Sequence, residues 1–167
     1  MKYKRRKSRN RAALAGILLA VTGPHSLAVP LAHDLYEDGR SAERDCKPLL
    51  LEFSDTGCSY CRLLEEEVLD PTLLNRDYDR RVLMRKLLID RHRTLRDFDG
   101  RSSVDAQQLA QRYKVRVTPT LVFVDARGQE IAERMVGVTT LDMYGGYLDL
   151  ALDSARRKLQ EQQRCDD

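Results

Sequence analysis

The sequence predicts one α/β domain: a central mixed β-sheet flanked by helices on both faces. Three observations carry this. An apolar run at 47–53, a helical repeat and a second apolar run at 81–89 give the order strand, helix, strand, whose strands lie parallel with a crossover helix. A strand at Thr120–Asp125, the turn Ala126-Arg-Gly128 and a partner strand near Glu130–Val136 read as a hairpin, which adds antiparallel strands. Leu141, Tyr144, Leu148, Leu152, Ala155 and Leu159 then form an apolar stripe at helical spacing, a cover for the sheet.

At the start of the chain, residues 1–28 hold seven Lys and Arg and no acid, and lead into the apolar stretch Ala12–Val21. With small residues at Ser26 and Ala28, this is the pattern of a secretory signal cleaved after Ala28. The apolar run falls short of the roughly 20 residues that span a bilayer, so a membrane is a partner only if the segment is retained as an anchor. The expectation is an exported protein, periplasmic and soluble after cleavage. The net charge of +3 arises here: without those seven, 22 basic residues face 26 acids, a net charge of −4. Nucleic-acid binders carry their cations on the folded domain, so nucleic acid is not an expected partner.

Residues 29–45 read as a lead-in with a short helix around Asp34–Ala42 interrupted by Gly39, residues 46–160 as the domain, and 161–167 as a polar tail. Lys47–Phe53 is a buried strand, apolar apart from Glu52. Ser54-Asp-Thr-Gly57 is turn chemistry and delivers the chain to Cys58-Ser-Tyr-Cys61. In the helix that follows, Cys61, Leu64 and Val68 share one face, with Arg62, Glu65 and Glu66 on another. Asp70-Pro71 opens a second short helix through Leu74, proline being well placed in a first turn. Arg81–Ile89 is the next strand. The polar stretch Arg91–Ser103, containing Asp99-Gly100, reads as a loop, and Ser103 as the cap of a helix with inner face Ala106, Leu109, Ala110 and Tyr113.

The chemistry lies at the strand-to-helix junction. Cys58 would sit at a helix amino terminus, where unpaired N–H groups and the helix dipole stabilise a thiolate. Cys61 is one turn further on, close enough to close a disulfide. Such a pair can attack a substrate disulfide with one sulfur and resolve the mixed disulfide with the other. A structural disulfide remains open in an oxidising compartment. A zinc site would need ligands that the sequence does not supply, since there is no second Cys-x-x-Cys and His92 stands alone beyond the lead-in. Glu52, in an otherwise apolar strand, should be desolvated and so held as a proton carrier for Cys61, unless that strand end is wet. Cys46 and Cys165 flank the domain and could pair or stay free.

Leu51-Glu-Phe-Ser-Asp-Thr-Gly-Cys-Ser-Tyr-Cys61 followed by Val115-Arg-Val-Thr-Pro-Thr-Leu-Val-Phe-Val124 resembles the thioredoxin superfamily over about 49–159. Within it the chain looks most similar to exported thioredoxin-like proteins such as the SoxW type. The resemblance implies the thioredoxin-like fold, a redox-active Cys58–Cys61 disulfide, and a cis Pro119 facing that pair. It also implies that Thr118 offers its backbone to an extended substrate, with Ser59 and Tyr60 as further contact positions. Gly137 falls where the family commonly has a glycine, while Gly57 replaces its usual Trp and Ser59-Tyr60 its Gly-Pro. The implied function is thiol–disulfide exchange without metal or organic cofactor, on a disulfide-containing protein or small molecule, with a redox partner to reset the dithiol. Reduction is the expected direction. The alternatives are a disulfide-introducing oxidase and a copper- or partner-binding module of the same fold.

Overall fold

The computed structural model describes residues 28–162; the segment up to residue 27, expected above to be a secretory signal, and the tail from 163 with Cys165 lie outside the described residues. In chain order the elements are α1 (Leu35–Arg44), β1 (Leu49–Ser54), α2 (Ser59–Leu64), α3 (Asp70–Leu74), β2 (Leu83–Leu88), β3 (Thr94–Arg96), β4 (Ser103–Asp105), α4 (Ala106–Arg112), β5 (Thr120–Val124), β6 (Met135–Val136) and α5 (Leu141–Glu161). A π-helical turn, Glu65–Leu69, joins α2 to α3.

The main sheet has the order β2-β1-β5-β6, with β1 parallel to β2 and antiparallel to β5. β1 and β5 are its inner strands and every residue in them is buried, which is why both read as continuous apolar runs. Leu50, Leu121 and Phe123 pack with Leu64, Leu69 and the stripe of α5. Leu49, Leu51, Phe53, Val122 and Val124 pack on the opposite face with Leu35 of α1 and Leu109 of α4. Two apolar layers thus enclose the sheet, as the alternation of β1 requires. Arg81 fixes α5 from outside, pairing with Asp149 at 2.7 Å and Asp153 at 2.9 Å.

The segment expected as a lead-in is packed into the domain. The Lys86 N–H donates to Pro30 O at 2.8 Å and the Ala32 N–H donates to Lys86 O at 2.9 Å, extending the sheet beside β2. Val29, Ala32 and Leu35 are buried. Asp34 caps α1, accepting from the Glu37 N–H at 2.9 Å. Gly39 does not interrupt this helix; it lets the helix approach the Ala126 carbonyl, whose oxygen would lie 2.4 Å from an added Cβ.

Three further expectations are corrected. Residues 91–103 are not simply a loop: β3 pairs antiparallel with β4, placing buried Leu95 opposite buried Val104. Each strand spans three residues with a single apolar position, too little for a period-two pattern to stand out among charges. Ser103 accordingly lies in β4, and the cap of α4 is Asp105. Its side chain accepts from the Gln108 N–H at 2.8 Å while Gln108 Oε1 accepts from the Asp105 N–H at 2.9 Å, a reciprocal capping box. The hairpin partner is also shorter than expected, β6 holding two residues and Glu130 meeting Val124 as an isolated bridge.

Candidate active site

The parallel register of β1 and β2 pairs Ser54 with Leu88, and the antiparallel register of β1 and β5 pairs Phe53 with Thr120. The turn after Ser54, the turn after Leu88 and the residues before Thr120 therefore converge on one edge of the sheet. Asp55 shapes the first turn: its carboxylate accepts from the Gly57 N–H at 2.8 Å and its carbonyl from the Cys58 N–H at 3.1 Å. Cys58 then caps α2, its Sγ accepting from the Cys61 N–H at 3.1 Å. Cys58 and Cys61 form a disulfide across 5.3 Å between their Cα atoms. Their exposures differ, as attacking and resolving sulfurs would: Cys58 is half-buried, whereas Cys61 is only 1% exposed.

The Thr118–Pro119 peptide bond is cis. The Gly137 N–H, in a residue with positive φ, donates to Pro119 O at 2.8 Å, and the Thr120 hydroxyl donates to Val117 O at 2.8 Å. The first bond ties the turn to the end of β6, and the second closes the turn on itself. Tyr60 is 61% exposed and Ser59 is exposed beside it, so both stand on the surface next to Cys58.

One helical turn from Cys61, Glu65 belongs to a cluster of charges in an otherwise apolar layer. Glu52 is fully buried, and neither of its oxygens has a hydrogen-bond donor. Burial, followed by the charge of Glu65, pushes its carboxyl up to about 9. In the protonated form Glu52 becomes a donor, and the Glu65 carboxylate is the acceptor beside it. Glu65 in turn accepts from Lys86 Nζ at 2.7 Å, and Lys86 lies directly across from Glu52 in the sheet. Asp70 is raised by its own burial and by Glu65. The Tyr144 hydroxyl from α5 is buried and raised, first by desolvation and then by the Glu52 charge.

The sequence-predicted residues Cys58, Cys61, Thr118, Pro119, Ser59 and Tyr60 are thus gathered at one end of the sheet, and Glu52 is buried within β1. Glu65, Lys86 and Asp90 escape the sequence reading. The helical pattern places Glu65 on a different face from Cys61, but it stands four residues from Cys61, and i,i+4 neighbours share a face. That spacing is the signal that could have found it. Lys86 gives no local signal, because only strand register brings it opposite Glu52. Asp90 accepts the Thr56 N–H at 3.3 Å and also the Thr56 hydroxyl, fastening the two turns together. Cys46 is disulfide-bonded; Cys165, considered above as its partner, lies outside the described residues. Among the described residues no group of three or more His, Cys, Asp or Glu could hold a metal ion.

Comparison with known proteins agrees with this geometry. A family model described as a thioredoxin-like domain matches residues 35–152. The solved structure of a DsbH oxidoreductase is 24% identical, with 83% of this chain and 95% of that chain covered and a TM-score of 0.53. A single-residue mutant of thioredoxin from Halobacterium salinarum is 23% identical, with 78% and 96% covered and a TM-score of 0.50. Likeness at these identities speaks for the fold. Among curated proteins, none matches the chain.

Proposed function

The chain belongs to the thioredoxin-like domain family, and from that premise we propose that its thiol–disulfide exchange runs in the reducing direction, on disulfides of exported proteins or of small molecules. The observation that carries the direction is the charge-compensated cluster one helical turn from Cys61. A strong oxidant of this fold gains its potential because its reduced form is stabilised. Here Glu65, an i,i+4 neighbour of Cys61, takes up the charge of Lys86, and Glu52 is held protonated by burial, so among the described residues this layer offers no free cation to stabilise a thiolate. Without that stabilisation the reduced dithiol is not favoured and the potential stays low.

In the proposed cycle the Cys58 thiolate attacks one sulfur of the substrate disulfide, and the other substrate sulfur leaves as a thiolate. Cys61 must then lose its proton to displace the second substrate sulfur and close Cys58–Cys61. Glu52 accepts that proton in its ionised form, a fraction that grows as pH rises toward its value of about 9. Thr118, held by the cis bond to Pro119, offers its backbone to an extended substrate, and Ser59 and Tyr60 border the attacked sulfur. The product is the disulfide seen in the structure. A second redox protein restores the dithiol, and sulfur chemistry of this kind requires neither metal nor organic cofactor.

Export is part of the proposal and is supported by the basic–apolar–small pattern of residues 1–28. The mechanism is tested with the reduced protein and a disulfide substrate. Cys58→Ser should abolish turnover, while Cys61→Ser should accumulate the mixed disulfide on Cys58, detectable by mass. Full turnover by Cys58→Ser would overturn it.

A further inference from the structure

Beside the redox turn lies a cavity of about 470 Å³ whose walls are apolar, among them Leu31, Leu87 and Leu95. Thr56 forms part of its lining and is only two residues from Cys58, a stretch of chain that spans at most about 7 Å. Three consecutive basic residues, Arg91, His92 and Arg93, line the cavity and are exposed. The acids beside them are occupied elsewhere: Asp90 holds Thr56, and Asp105 caps α4. Arg91 and His92 approach these acids only at 3.8 Å each, and among the described residues no ion pair is found for Arg93. This basic group stands out on a chain whose residues 29–167 carry a net charge of −4.

We propose that this cavity is a substrate subsite for a small organic anion with an apolar body, its acid group on Arg91 and Arg93 and its body between Leu31, Leu87 and Leu95. The inference deepens the oxidoreductase reading and rests on it for the word substrate: the ligand is the acid-bearing half of a small organic disulfide. Thr56 joins the cavity to the turn that carries Cys58, so a body seated there places its sulfur near the attacking thiolate. The exchange is balanced. Cys58 and Cys61 give up two electrons and become a disulfide, and the substrate accepts them and leaves as two thiols.

Two measurements on the full chain test this separately from the redox reading. First, 1-naphthalenesulfonate is titrated into the oxidised protein and followed by amide chemical shifts, which needs no turnover. Saturable shifts at Leu31, Leu87, Leu95 and residues 91–93 are expected, and they should be lost in the double variant Arg91→Gln, Arg93→Gln. Shifts that do not saturate, that map elsewhere or that survive in the variant overturn the subsite. Second, the reduced protein is given the dianionic 5,5′-dithiobis(2-nitrobenzoate) and the neutral 4,4′-dithiodipyridine. The double variant should lose about tenfold in kcat/KM on the anion, the size of two exposed ion pairs, and keep its rate on the neutral disulfide. Arg127→Gln, on the turn at the opposite end of the sheet, should leave both rates unchanged. Equal losses on both disulfides overturn the proposal, as does an equal loss from Arg127→Gln. If the sulfonate binds as expected but neither disulfide is reduced, the anion site stands and the oxidoreductase reading falls.

Discussion

Replacing Glu52 by glutamine should remove a large part of the pH dependence of folding stability. In the folded chain the carboxyl is raised from 4.5 to about 9, chiefly by burial. Between those values the native state holds a proton that the unfolded chain has released. Stability from this group is therefore complete below pH 4.5 and is lost as pH rises toward 9. Each pH unit in that window costs about 1.4 kcal/mol, so pH 7 is about 3 kcal/mol worse than pH 4.5, and pH 9 about 6 kcal/mol worse. Glutamine keeps the shape and carries no titrating proton. Urea unfolding of the oxidised protein at pH 5, 7 and 9 reads the effect as a difference between the two stability curves. Asp70 is raised in the same sense and persists in both proteins, so only the divergence belongs to Glu52. The two curves should separate by several kcal/mol from pH 5 to pH 9, the variant gaining. Parallel curves would refute the reasoning, because they would mean that Glu52 is not a desolvated acid.

The same proton should appear in catalysis: the resolving step in the wild type should accelerate as pH approaches 9, and Glu52→Gln should be slower at every pH in that range in stopped-flow measurements, since Cys61 must then lose its proton without the carboxylate. Lys86→Met leaves the Glu65 carboxylate next to Glu52 without its cation and should cost about 3 kcal/mol in urea unfolding, because removing one partner strands the other charge. Adding Glu65→Gln should recover most of that loss, a coupling that a double-mutant cycle reads directly. Gly39→Ala drives a methyl against the Ala126 carbonyl and should destabilise the domain by about 2 kcal/mol or more, seen as a lower Tm.

What the sequence made legible follows from the range over which each signal acts. The strand at 47–53, the helix starting at Cys58 and the stripe of α5 announce themselves through periodicity and local turn chemistry, and the structure holds all three. The placement of Cys58 at a helix start could be read because Asp55 and Gly57 build that turn within four residues. Glu52 stood out as the lone charge in an apolar strand, but the groups around it did not. Lys86 reaches it through sheet register and Tyr144 through the packing of α5, and neither relation leaves a trace in local sequence. The β3–β4 ribbon was hidden for a different reason. Its two inward residues, Leu95 and Val104, are separated by a charged turn, and only their burial against the α4 side of the sheet reveals them as partners.

The reduction potential of the Cys58–Cys61 pair, measured by equilibration against glutathione with thiol trapping, tests the central claim most directly. The absence of a free cation in the Glu52–Glu65–Lys86 layer predicts a value at or below about −200 mV, suited to a reductant resupplied by a partner. A value near about −120 mV would contradict it and make the protein an oxidase.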